Sequence, residues 1–332
     1  MKIRLAHGGG GRETRALIND LIQGYLGNPI LDKMEDAAVL TGHAQLAFTT
    51  DSFVVKPLFF PGGDIGTLCV CGTTNDLAVM GARPSKLSLA LILEEGLDID
   101  ILEKVLQSIR NECRQGGLEV VCGDTKVVEK GACDALFINT SGIGFYERNV
   151  PFSLTQIQEG DVLLLSGFSG DHGAAILNAR HSLDIQNAVL SDCAQLYPLV
   201  SLLQEAKVTV HAMRDATRGG VAAVANEMAD ASGLTAVIEE SMVPVRASVA
   251  AFCDLLGLSP LELANEGKLV VALPEKEALK ALALMRNHSL GQQAAVIGKM
   301  EKRSDFSAVL QTGLGIRRIL EMPRGEHLPR IC

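Results

Sequence analysis

Apolar positions along the chain follow two rhythms. After a run of four glycines, Leu17, Leu21 and Tyr25, with Ile18, Ile22 and Leu26, recur at helical spacing until Gly27 and Asn28-Pro29 stop them. A helix is predicted there. Residues 37–60 carry extended runs, AAVL, QLAFTT and FVVKPLFF, broken by turn residues and proline. A second helix is predicted over 64–80, ending in Gly81-Ala82-Arg83-Pro84. A third, over 98–115, puts Ile101, Leu102, Val105, Leu106, Ile109 and Cys113 on one face, with an Asp98 cap and a Gly116-Gly117 stop. The strand LEVVC follows, then GDTK, and DALFINTSGIGFYERN closes this half as a strand.

NVPFSLTQIQEGD is read as a connector, which sets a boundary near residue 150. Beyond it VLLLSG, LTAVIEE, KLVVALP and AAVIGKM alternate with helical stretches starting near Asp171, over 217–231 and in EKEALKALALMRN, so this half is α/β. The reading is two domains, 1–150 and 151–311, followed by a flexible tail, 312–332. Two prolines and a glycine in EMPRGEHLPRIC prevent helix continuation, and ten extended residues reach ~33 Å.

Composition narrows the class. A chain of 332 residues with 47% hydrophobic and 21% charged residues is globular and long enough for two cores. Its net charge of −9 leaves little surface for phosphate backbones, so nucleic acid is not expected as a partner. MKIRLAHGGGGRE lacks the apolar core of a secretory signal and no run approaches ~18 apolar residues, so no membrane association and a cytoplasmic location are expected. The eight cysteines sit mostly within apolar runs and read as reduced, seven of them as core. Cys69 and Cys71 form a C-x-C with no second pair at zinc spacing.

The eighth cysteine, Cys332, stands at the end of the sequence. A thiol on a loose arm can carry a group between sites. HGGGGR, residues 7–12, either cradles phosphate with Gly8, Gly9, Gly10 and Gly11 at a helix start or is merely a floppy N-terminus. Asp36, Asp51, Asp76 and Asp124 each stand at the edge of an apolar segment, and aspartates gathered from several loops suit magnesium whose octahedron is completed by substrate phosphates. Each alone reads equally as a cap or turn residue. RDATRGG offers Asp215 and Arg218 beside paired glycines, and NEGK offers Glu266 before a strand. SGFSGDHG, residues 166–173, misses the dinucleotide spacing and is read as mostly structural.

Together EDAAVL, TTDSFVV, CGTTNDLAVMGARP, VCGDTKVVEKG, DATRGGVA, NEGKL and PRIC resemble the HypE family of hydrogenase maturation factors, in the aminoimidazole ribonucleotide synthetase superfamily. The aspartate and GDTK motifs mark the superfamily; the terminal Pro-Arg-Ile-Cys marks the branch. The resemblance implies an ATP-binding N-terminal domain whose sheet joins a second copy in a dimeric β-barrel, and a C-terminal α/β domain packed on it. It implies a carbamoyl group loaded on Cys332 by the carbamoyltransferase HypF and dehydrated with ATP to a thiocyanate. The cyanide then passes to a HypC–HypD complex for the iron of nickel–iron hydrogenase. By the same resemblance Asp36, Asp51, Asp76 and Asp124 hold Mg2+, and the Gly8 to Gly11 loop, Asp51, Asn75, Asp76, Asp124 and Arg218 hold nucleotide. Lys126 and Glu266 fall near the modified cysteine.

The chemistry is consistent with those assignments. Turning S–C(=O)–NH2 into S–C≡N requires an oxygen to depart, and phosphorylating that oxygen makes phosphate the leaving group. Cations must stabilise the transferring phosphoryl group and a base must take the nitrogen protons. Glu266 is assigned as base and Lys126 as orienting cation, with the roles exchangeable. Two rivals stay open: a small-molecule kinase or synthetase of the same superfamily, and a thiol metal carrier using Cys69, Cys71 and Cys332.

Overall fold

The computed structural model describes residues 2–4, 7, 16–33, 45–147, 152–181, 189–323 and 330–332. The first half contains a helix α1 (Leu17–Ile22, continuing as Gln23–Leu26), β1 (Leu46–Phe53), α2 (Ile65–Val79), β2 (Arg83–Glu94), α3 (Ile99–Gly116), β3 (Glu119–Val128) and β4 (Leu136–Phe145). Its sheet has the order β1-β4-β2-β3, antiparallel except for the β2–β3 pair, which α3 joins as a crossover. Strict alternation sends Leu87, Leu89, Leu91 and Leu93 of β2 and Leu136 and Ile138 of β4 inward. They meet Leu68 and Val70 of α2 and Leu102, Val105, Leu106 and Ile109 of α3, so the helical stripe read from the sequence is the face that packs. Each such side chain contributes roughly 2 kcal/mol by burial.

Helix ends show where sequence signals hold. Gly117 closes α3 with φ of 65°, a left-handed conformation that favours glycine. Asp98 occupies the N-cap position, but its side chain makes no capping hydrogen bond. The unpredicted cap is Asp64, whose Oδ1 accepts from Gly66 N at 2.7 Å and Thr67 N at 3.0 Å to start α2.

The second half contains β5 (Asp161–Leu165), α4 (Asp171–His181), α5 (Tyr197–Glu205), β6 (Ala212–Asp215), α6 (Gly220–Ser232), β7 (Thr235–Glu239), α7 (Ala247–Leu256), β8 (Leu269–Pro274), α8 (Glu275–Arg286), β9 (Ala295–Glu301), β10 (Ala308–Gln311) and β11 (Arg317–Ile319). They form a seven-stranded sheet ordered β11-β10-β7-β9-β5-β8-β6. In β5, Leu163 and Leu165 pack into a core with α6, while Val162 and Leu164 pack into another with α5 and α8. A strand covered on both faces reads as an unbroken apolar run, which is why VLLL shows no alternation.

Three expectations need correction. The segment assigned to a tail from residue 312 stays with the sheet, since β11 pairs with β10 and buried Leu320 accepts from Asn226 Nδ2 at 2.9 Å. Helices α5 and α7 were not foreseen, because their apolar positions lie within long, evenly apolar stretches. All eight cysteines are free thiols, but Cys122 is exposed and Cys133 and Cys193 are half-buried, so seven do not sit in cores. Within one chain the first sheet is open, with β1 and β3 as edges, and no closed barrel is present among the described residues. Its outer face leaves Phe48 66% exposed, with Leu46 and Ile92 also uncovered. No helix among the described residues is long and apolar enough to cross a membrane.

Candidate active site

The period of two in β1 turns Thr49, Asp51 and Phe53 toward α2. There Thr49 Oγ1 donates to Asp76 Oδ2 at 2.7 Å, and Asp51 and Asp76 share a hydrogen bond of their own. Two carboxylates can share a bond only if one holds a proton. Burial, followed by the Asp76 charge, pushes Asp51 up to about 6, and burial also raises Asp76. Asp215, at the end of β6, is driven to about 7 by burial and then by Asp76. Three carboxylates with raised affinities for protons repel one another, and a cation would relieve that repulsion. Arg218 opposes it in part, lowering Asp51 and Asp76.

Asp51, Asp76 and Asp215 line a cavity of about 180 Å3 together with Arg214, Arg218 and Glu266. Ala223 and Val224, in the first turn and a half of α6, also face it, so a helix N-terminus, where backbone N–H groups are unpaired, borders the cavity. Gly220 (φ 57°) permits this start, because a Cβ there would stand 2.4 Å from the Leu263 carbonyl oxygen.

Glu266 reaches the cavity from the turn before β8. Its backbone is fixed at both ends: its N–H donates to Asp192 Oδ1 at 2.9 Å, and its carbonyl accepts from Asn75 Nδ2 at 3.2 Å. Lys268 Nζ in turn holds Asp192 Oδ2 at 2.9 Å. The Glu266 side chain is 2% exposed, and Oε1 has no hydrogen-bond partner among the described residues. Burial, then Asp192, Asp215 and Asp51, hold its carboxyl well above the ordinary carboxylate range. A buried carboxyl oxygen without a partner is costly unless something else binds it.

Cys332 lines the same cavity. The last three residues lie antiparallel to the chain that follows β1, with Val54 N donating to the Cys332 carbonyl oxygen at 3.1 Å and Lys56 N to the Arg330 carbonyl oxygen at 3.2 Å. Ile331 is buried in the first core. Arg330 adopts φ 55°, a left-handed conformation uncommon outside glycine. Its guanidinium secures that turn by donating to the Val54 carbonyl at 2.8 Å and to Asp134 Oδ2 at 2.6 Å. Lys56 and Arg330 hold the Asp134 carboxyl below the usual range.

The other expected residues fall elsewhere. Gly8, Gly9, Gly10, Gly11 and Asp36 lie outside the described residues. Asp124 is in the middle of β3 rather than in a loop, and Lys126 stands two residues on, its Nζ 3.7 Å from Asp124 Oδ2. Both are exposed on the outer face of the sheet, and β3 is three strands, roughly 14 Å, from β1. One chain does not bring them to Asp51. Asn75 does not face the cavity: Nδ2 donates to the Ala194 and Glu266 carbonyls, and Oδ1 accepts from Leu196 N at 2.8 Å. Every polar atom of its amide serves the junction between the halves. The carboxylates that do meet come from a strand, a helix and a strand end, not from loops as the sequence suggested. SGFSGDHG is packed by protein throughout, with the Pro260 carbonyl, Val249 and Leu263 around Gly170.

Among the described residues no three His, Cys, Asp or Glu side chains form a closed metal cage. The hydrogen-bonded Asp51–Asp76 pair nevertheless fits magnesium, which takes one or two protein carboxylates and fills its octahedron with phosphate and water. Sequence reasoning missed Arg214, Thr49 and His172. Thr49 had a signal, since it alternates with Asp51 in TTD.

Known proteins are similar to this chain over nearly its whole length. The signature of AIR synthase related proteins matches in two parts, the N-terminal domain over residues 34–146 and the C-terminal domain over 158–311. The chain is 47% identical to the carbamoyl dehydratase HypE of Escherichia coli strain K12, over 99% of each sequence. The crystal structure of a hydrogenase maturation protein HypE in complex with ATP superposes with a TM-score of 0.96 at 46% identity, covering 99% of both chains. A HypE–HypF complex matches with a TM-score of 0.81 at 43% identity, covering 93% of this chain and all of that one.

Proposed function

This chain belongs to the carbamoyl dehydratase HypE family of AIR synthase related proteins, and on that premise we propose that its cavity dehydrates a carbamoyl group carried on Cys332, using ATP. The product is a thiocyanate that supplies cyanide for the iron of nickel–iron hydrogenase. One observation carries the reading: Cys332 lines the same cavity as Asp51, Asp76 and Glu266, whose Oε1 has no partner among the described residues.

The carbamoyl oxygen attacks the γ-phosphorus of ATP, the bond to ADP breaks and one N–H proton leaves. The second N–H proton then passes to a base, C≡N forms and the C–O bond breaks, carrying the oxygen away in phosphate. Glu266 takes the proton in this scheme: buried, with a raised affinity for protons and a free oxygen, it is a stronger base than an exposed glutamate once ionised. Arg218 and the N-terminus of α6 face the phosphoryl charge. Asp51 and Asp76, with Asp215 beside them, would hold Mg2+, which would neutralise the phosphate oxygens.

A second copy completes the assembly in this reading, forming the barrel with the outer sheet face that carries Phe48. Asp124 and Lys126 stand on that face, and their contribution to nucleotide and to the loaded cysteine then comes from across the dimer. The Gly8 to Gly11 loop and Asp36 complete the phosphate and metal contacts. HypF supplies the carbamoyl group, as the complex of relatives supports, and a cytoplasmic HypC–HypD pair receives the cyanide.

The test is mass spectrometry of the C-terminal peptide after carbamoylation, with and without Mg-ATP. Loss of one water must require ATP. A carbamoylated peptide that stays unchanged in an ATP-bound preparation would sink the proposal.

A further inference from the structure

The tail is received by two chemically different surfaces. Val54 and Lys56 of the first domain give it backbone N–H groups, and Asp134 pairs with Arg330, while two side chains of α4 in the second domain hold its backbone carbonyls. Arg180 Nε donates to the Lys56 carbonyl at 2.6 Å, and its other arm reaches the Arg330 carbonyl, so one guanidinium joins the tail to the strand it lies against. Eight residues earlier, near the same face of the helix, His172 meets the Ile331 carbonyl oxygen at 2.8 Å through Nε2.

A carbonyl only accepts, so Nε2 must carry the hydrogen. Nδ1 lies 2.8 Å from Ser191 Oγ, and that hydroxyl also accepts from Cys193 N at 3.3 Å. Cys193 Sγ also lies 3.2 Å from Ser191 Oγ and competes for its single hydrogen; with Nε2 protonated, Nδ1 can only accept, so the shorter contact takes that hydrogen and the ring N–H is aimed at the tail. The ring is fully buried with the edge of Phe60 against it at 5.5 Å, and burial lowers its affinity for a second proton. Apart from the tail, this N–H has no other acceptor among its contacts with the described residues.

We propose that His172, oriented by Ser191, is a positioning residue for the reaction: it grips the peptide carbonyl next to Cys332 and so fixes the sulfur in the cavity. This rests on the reading that Cys332 carries the reacting group. Because the grip is on backbone, it holds the tail whether the thiol is bare or loaded. His172 does not touch the reacting atoms and acts only through the arm.

The experiment uses the full chain and reads docking apart from catalysis. Alkylation of Cys332 by iodoacetamide, followed on the C-terminal peptide by mass spectrometry, reports how often the unloaded arm leaves. A second arm follows single-turnover dehydration after HypF-dependent loading, and ATP titration reports an intact pocket. His172→Phe keeps a ring without a donor and is expected to raise alkylation about tenfold and slow dehydration by a similar factor, with ATP binding unchanged. His172→Gln can place an amide N–H near Nε2 and is expected to return both rates toward the parent. Should His172→Phe not fold, Ser191→Ala serves, with faster alkylation expected. Parental alkylation in His172→Phe or, in its stead, in Ser191→Ala overturns the proposal, as does a glutamine variant no closer to the parent than phenylalanine. If the parent itself shows no ATP-dependent loss of water, the catalytic reading fails while the alkylation series still decides the docking role.

Discussion

Asn75 and Glu266 lie 191 positions apart and are joined by one hydrogen bond, from Nδ2 to the Glu266 carbonyl oxygen at 3.2 Å. Through it α2 of the first domain sets the position of the acid in the second. Asn75→Ala leaves the buried Leu196 N–H and the Ala194 and Glu266 carbonyls short of partners, and is expected to destabilise the protein by about 3 kcal/mol. Denaturant titration reads that loss. Dehydration is expected to slow more than ATP binding weakens, because Asn75 does not face the cavity.

Glu266→Gln preserves shape and removes the base. Dehydration in a single turnover is expected to fall by roughly 100-fold or more. Stability is expected to hold or rise, since burial already disfavours the charged form. A variant that dehydrates at the parental rate would reassign the base to Lys126.

The carboxylate cluster sets a pH dependence of opposite sign to that of an ordinary salt bridge. Asp51 at about 6 and Asp215 at about 7 are both raised above the unfolded value, so the folded chain holds more protons than the unfolded one between roughly pH 4 and 7. Their contribution to stability is present in full below pH 4 and is lost as pH rises through 6 and 7. Asp215→Asn is therefore expected to stabilise the nucleotide-free protein by up to about 4 kcal/mol at pH 8 and to change little at pH 4, as read by thermal unfolding at both values. Binding of Mg-ATP to the parent near pH 6.5 is expected to release protons, which calorimetry in buffers of different ionisation heat measures.

Cys332→Ala is expected to abolish thiocyanate formation and leave nucleotide affinity within about twofold, because Asp51, Asp76, Asp215 and Arg218 are positioned without the sulfur. Nucleotide titration checks it. A large loss of affinity would mean that the tail is part of the nucleotide pocket.

Phe48→Asp places a charge on the exposed outer face, on the edge strand β1. If the proposed dimer forms through this face, the expected result in light scattering is a pair for the parent and a single copy for the variant, with dehydration lost alongside. A variant that stays paired would move the dimer contact elsewhere.

Much of the fold was legible because its determinants are local. The stripe from Ile101 to Cys113 spans one helix, and the VLLL run fixes a strand buried on both faces without knowing what covers it. The reading failed where two long-range surfaces compete. GDTK continues β3 as a strand because β2 offers it a ladder from Lys86 to Glu94, which no local turn signal reveals. Asp98 looks like a cap and makes no bond, while Asp64 caps α2 with the help of Ser108 on another helix.

For the site, the sequence by itself determined the chemistry: which residues can be acids, which thiol can carry a group, and through its family motifs what reaction they serve. It could not determine which of them meet. Asp51 faces Asp76 because a strand turns alternate residues to one side, whereas Asp124 sits three strands away on the opposite face. The tail was read as loose since prolines and glycine forbid a helix, yet its last residues are held by Val54, Lys56, His172 and Arg180 from two domains. Those contacts are hydrogen bonds to backbone, which any side chain sequence could have accepted, and only the folded chain brings their partners within hydrogen-bond reach of the tail.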